Sequence, residues 1–103
     1  MTKKAVRDLV RETPRAGWTF EQVDNETFLR LLLVKLTEES AEVQDAVKNG
    51  TREDIVNELA DLLEVMDEVA QRLVIYPYEI DGAMYSKVNR CGRFVENWVG
   101  EKL

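Results

Sequence analysis

Two long amphipathic stretches meet with almost no chain between them, and this constrains the fold more than any other feature. From about Asn25 to Asn49, Leu29, Leu32, Leu33, Leu36, Val43 and Val47 recur at three- and four-residue steps, the period of one helix face. Asp24 stands where an N-cap belongs, its carboxylate able to accept from backbone donors that the first turn leaves unpaired. Gly50 follows the last helical residue as a C′ glycine. Thr51 opens the second helix, with Asp54 three positions on as a weaker form of the capping box. Ile55, Leu59, Leu62, Leu63, Met66, Val69, Ala70 and Leu73 supply its apolar face, which ends near Val74, with Val56 and Val65 beside the main stripe. Gly50 and Thr51 leave so little loop that the two helices are expected to fold back as an antiparallel hairpin.

Pro77 reads as the first residue of a third helix, where its missing N–H costs nothing. Ile80, Met84 and Val88 give that helix a stripe, and Gly92 ends it. The flanks are expected to be short extended segments: Trp18 to Val23 after Gly17, and the alternating run Phe94 to Val99. Val6 to Glu12 reads as a helical turn stopped by Pro14. The expected fold is all-α, one domain over residues 1–103, because 103 residues allow one core and hardly more. A hairpin and one further helix cannot cover all this apolar surface, so a four-helix bundle completed by a second copy is expected, which makes the protein at least a homodimer.

Composition removes several classes of function. With no histidine, imidazole general-base catalysis and Ser-His triads are excluded. A lone Cys91 excludes a disulfide framework and a cysteine-rich zinc site, and fits a reducing cytosol. The longest apolar run, Leu31 to Val34, is far short of a membrane span, and no signal-peptide run follows Met1. A cytoplasmic protein without a membrane partner is therefore expected. Net charge of −6 argues against a nucleic-acid partner, so any polyanion must be met through a metal ion.

The acids themselves fall in a pattern. Glu39 and Glu42 stand three apart, one turn apart on the border of the first apolar stripe; Glu58 and Asp61 repeat that step on the second helix. Glu42 and Glu58 each lie eight positions from Gly50, and Glu39 and Asp61 each lie eleven. Equal helical rise on both arms brings all four level, roughly 12–16 Å from the turn. Four carboxylates at one level repel each other, and either raise a pKa or require a cation. An all-oxygen set suits Mg²⁺, or alternatively Mn²⁺, rather than zinc. Acid-rich helices are more often only solvated faces, and Glu53, Glu64, Asp67 and Glu68 are read that way.

These residues resemble the MazG-like, all-α nucleoside triphosphate pyrophosphohydrolases, whose signature Glu-Glu-x-x-Glu … Glu-x-x-Asp stands here as Glu38-Glu39-x-x-Glu42 and Glu58-x-x-Asp61. Val6-Arg7-Asp8 is similar to the opening of the branch akin to phosphoribosyl-ATP pyrophosphohydrolase. Phe28–Ala46 and Asp54–Glu68 resemble its two central helices, and Lys87–Phe94 its C-terminal Lys…Arg-Gly-Gly-Phe segment. The chain departs from the branch at Leu9-Val10-Arg11, where Lys-Ile-Pro is usual, and at Cys91-Gly92-Arg93-Phe94. The resemblance implies cleavage of the α–β phosphoanhydride of a nucleoside triphosphate to a monophosphate and pyrophosphate, and dimers or tetramers. In that frame Glu39, Glu42, Glu58 and Asp61 are the metal ligands, and Glu38, with Glu39 the catalytic pair, orients or deprotonates the attacking water. Lys35 either pairs with Glu39 or touches phosphate. Lys87, Arg90 and Arg93 form a cationic cluster for phosphate or merely complement a helix dipole; Asn89 is a candidate for base or sugar. A non-catalytic metal- or nucleotide-binding module and a purely structural helical dimer are the alternatives. Trp18, Phe20, Tyr76 and Tyr78 are expected in the core or an interface, with stacking on a base as the alternative.

Overall fold

The structure, a computed structural model, describes residues 3–12 and 17–103; the stop assigned to Pro14 lies outside them. Three α-helices follow a short 3₁₀ turn at Asp8–Glu12: α1 (Asn25–Asn49), α2 (Arg52–Arg72) and α3 (Pro77–Cys91). The ends are set by local chemistry. Asp24 Oδ1 accepts from the Thr27 N–H at 2.8 Å. At Thr51 the box closes both ways: Asp54 N–H donates to Thr51 Oγ1 at 3.2 Å, and Thr51 N–H donates to Asp54 Oδ2 at 2.9 Å. Pro77 sits in the first turn of α3, and Gly92 ends it at φ 79°, a left-handed conformation that glycine adopts freely.

Gly50, expected as a C′ glycine, is the C-cap of α1. Its φ of −99° is open to any residue. What demands glycine is crowding: a Cβ there would lie 2.8 Å from the Ala46 carbonyl oxygen and 3.0 Å from the Asp54 Cβ. The tight joint therefore depends on the missing side chain, and α1 and α2 pack along each other as an antiparallel hairpin. At its open end Arg72 donates to Asn25 Oδ1 at 2.5 Å and lies 4.6 Å above the Phe28 ring.

The apolar stripe of α2 divides. Val65 and Ala70 are buried and Ile55, Leu62 and Val69 half-buried, whereas Val56, Leu59, Leu63, Met66 and Leu73 remain exposed. Leu33, Val34 and Val47 of α1 are exposed as well. Val65, placed beside the stripe by the helical count, is thus at its centre, because the inner face of α2 is shared between apolar residues and Glu58 and Asp61. Ala5, Leu32 and Ala46 complete the small core.

Every residue of α3 is exposed, and α3 has no packing on the hairpin comparable to that between α1 and α2. Between α2 and α3 the chain turns through Val74 at φ 56°, with the Ile75 N–H on the Ala70 carbonyl. The flanks contain no strand among the described residues: 18–24 is irregular, and 92–103 is irregular with bends at Phe94 and Glu96 and a left-handed Asn97. The alternation from Phe94 to Val99 finds no neighbouring strand to pair with. Trp18 and Phe20 stack on each other, as do Tyr76 and Tyr78, and all four are exposed rather than in the core.

The radius of gyration is 17.4 Å, against about 13 Å for a compact domain of this length. The surface is 9421 Å², against about 6,000 Å² for a folded monomer of this mass.

Candidate metal centre

The hairpin joint brings acids of both helices together. Glu39 of α1 and Glu58 and Asp61 of α2 each offer a carboxylate oxygen, and these oxygens all lie within 4.8 Å of one another. Glu39 is only 6% exposed, an unusual place for a carboxylate. Its Oε2 and the Oε2 of Glu58 are buried without any hydrogen-bond partner, and an unsatisfied buried acceptor is costly unless something positive meets it. Burial raises the Glu39 carboxyl above its usual range. The neighbouring Glu42 adds to this, accepting a hydrogen bond from the protonated form and repelling the charged one; Lys35 opposes the shift and Asp61 augments it. The donor set and its orphaned oxygens fit a small, hard divalent cation such as Mg²⁺ or Mn²⁺.

Glu42 stands beside this trio on its turn-ward side. It is exposed and, with Asp45, Asp54 and Glu58, lines an open groove of about 280 Å³ that runs to Gly50. Glu38 is half-buried, 3.8 Å from Lys4 Nζ. Lys35 Nζ lies 3.5 Å from Glu39 Oε1, the helical pair its spacing allows. Lys87, Asn89, Arg90 and Arg93 are exposed at the end of α3 and beyond, and make no ion pair or side-chain hydrogen bond with a described residue. Within one chain they are not brought to the acids.

Arg7 and Glu64 were not foreseen as part of this region. Arg7 Nη2 donates to Asp61 Oδ1 at 2.8 Å, and Nη1 pairs with Glu64. Glu64, read as an idle solvated acid, thus anchors the N-terminal segment. The signal available was the Asp61–Glu64 step, a second i, i+3 carboxylate pair on the same side of α2.

A helical hairpin holding an acidic trio, Glu39 buried and Glu58 and Asp61 half-buried, defines a class: all-α proteins that can gather a divalent cation between two helices. The model of the phosphoribosyl-ATP pyrophosphohydrolase family matches residues 2–75, and the chain belongs to that family. The match takes in the N-terminal segment and the whole hairpin and stops before α3, so the likeness at Lys87–Phe94 lies outside it. Neither the curated proteins nor the solved structures contain a match. Membership makes this a chain of a pyrophosphohydrolase family. No helix among the described residues is long and apolar enough to cross a membrane.

Proposed function

We propose that the chain is a Mg²⁺-dependent nucleoside triphosphate pyrophosphohydrolase, with Mn²⁺ as a possible substitute, cleaving the α–β phosphoanhydride to release a monophosphate and pyrophosphate. The observation that carries this reading is the convergence of Glu39, Glu58 and Asp61 with two buried, unpartnered oxygens, on a chain of a pyrophosphohydrolase family. Glu39, Glu58 and Asp61 hold the cation, with Glu42 completing the set from the groove. The cation would neutralise phosphate charge and polarise the bond to be broken. Glu38 orients the attacking water and takes its proton as the new oxygen–phosphorus bond forms and the bond to the pyrophosphate oxygen breaks. Lys35, held at Glu39, balances the buried charge and offers a donor towards phosphate.

The remaining substrate contacts, and cover for the outward apolar face, come from a second copy of the chain. The surface excess and large radius support self-association as a dimer or tetramer. Lys87, Arg90 and Arg93 then supply phosphate contacts, and Asn89 a contact to base or sugar, across that assembly.

The test is pyrophosphate release from a panel of nucleoside triphosphates and phosphoribosyl-ATP, with Mg²⁺ and Mn²⁺. Glu58→Gln keeps the shape and removes the charge. It is expected to lower turnover more than about a hundredfold, since even the outer partners of metal ligands cost 10–100-fold, while the helical circular dichroism is retained. Nucleotide binding without turnover in the wild type points to a binding module; no Mg²⁺-dependent binding at all leaves a structural dimer.

A further inference from the structure

The N-terminal segment carries chemistry that the ligand assignment does not use. Ala5 is 3% exposed and fixes this segment on the molecule. On either side of it, Lys4 reaches Glu38 on α1 and Arg7 reaches Asp61 and Glu64 on α2. Arg7 is the only one of these cations bonded to a member of the acidic trio. Its guanidinium spans two carboxylates one helical turn apart, a geometry that the planar fork of arginine suits and a lysine ammonium does not.

Two effects of Arg7 on a bound cation oppose each other. Positive charge beside the site repels a divalent ion, and a fixed hydrogen bond orients the Asp61 carboxylate. Glu64 decides between them. Its negative charge cancels that of Arg7, and the pair is half in solvent, where charge is well screened. Little net repulsion is left, whereas the bond to Oδ1 persists and leaves Asp61 with a second oxygen. Ligating carboxylates are commonly held in this way by an outer hydrogen bond.

We infer that Arg7 is a positioning residue, which together with Glu64 fixes the Asp61 carboxylate for divalent-cation binding. This rests on the metal site proposed above. The experiment is Mn²⁺ titration by calorimetry, without nucleotide, on the wild type, Arg7→Gln, Arg7→Lys and Glu64→Ala, with thermal melting of each metal-free protein. Arg7→Gln is expected to weaken Mn²⁺ binding about tenfold with little change in melting, and Arg7→Lys to recover part of the loss. Glu64→Ala is expected to weaken binding to a smaller extent, and carries the test if Arg7→Gln does not fold. Mn²⁺ affinity unchanged or increased in Arg7→Gln, or unchanged in Glu64→Ala, overturns the role of Arg7 alone. A wild type that binds no Mn²⁺ overturns the metal site itself.

Discussion

The hairpin and α3 are built by the same local rules, yet their stripes meet different fates. Both regions have caps at their starts and apolar residues at helical steps. In the hairpin, Leu32, Ala46, Val65 and Ala70 are buried within one chain. In α3, Ile80, Met84 and Val88 repeat every four residues and all remain exposed. The difference is one of partners. A two-residue joint delivers α2 to α1, whereas the longer turn through Val74 to Tyr76 leads α3 away from both. Periodicity marks a face for burial without saying which chain will bury it. The family match divides the molecule in the same way, covering the hairpin and ending before α3.

The comparison breaks or holds on a paired substitution. Leu32→Ala removes a buried side chain from the hairpin and is expected to cost about 2–5 kcal/mol, at every protein concentration. Met84→Asp on α3 is expected to act through assembly: about 1.5–3 kcal/mol per site is lost, and light scattering shows a shift towards the 11.9 kDa protomer. A melting midpoint of Met84→Asp that does not vary with protein concentration, alongside a wild type that is monomeric, contradicts the idea that α3 is waiting for a partner copy.

A smaller effect tests the joint that separates the two regions. Gly50→Ala places a methyl group against the Ala46 carbonyl and Asp54. The expected cost is about 1–3 kcal/mol, the range for overpacking a tight site. Denaturant unfolding measures it, and the Mn²⁺ affinity of the trio is expected to fall as the arms splay. Full retention of both properties indicates that the joint has room to adjust.

Much of the helical layout could be read from residue order alone because its causes are local. Asp24, Thr51, Asp54, Pro77 and Gly92 act on backbone groups within a few residues, and all five stand where their chemistry predicts. Equal distances from Gly50 predicted that four acids of the two arms would meet; Glu39, Glu58 and Asp61 do, and Glu42 stands outside their cluster. Contacts set by the third dimension were harder to read. Arg7 reaches Asp61 across 54 positions, and nothing in helical spacing links them. Val65 took the centre of the α2 inner face because packing against α1, not the count of apolar residues, chose the angle. The alternation at Phe94–Val99 is a strand pattern, but a strand needs a neighbour.

The smallest expected effect lies inside the hairpin and concerns Glu39. Its pKa in the folded metal-free chain stands above the ordinary 4.5, chiefly through burial and then through Glu42. Between those two values the folded form binds more protons than the unfolded chain, so stability falls as pH rises through that window and is fully present below it. Asp24 and Glu21 have lowered values and contribute in the opposite sense, losing stability as pH falls. The difference between wild type and Glu39→Gln, measured by denaturant unfolding across that range without metal, isolates the Glu39 contribution. The variant is expected to gain on the wild type as pH rises. Saturating Mn²⁺ is expected to reverse that order, because a bound cation favours the charged carboxylate, and α3, which has no buried acid, is expected to respond to neither pH nor metal.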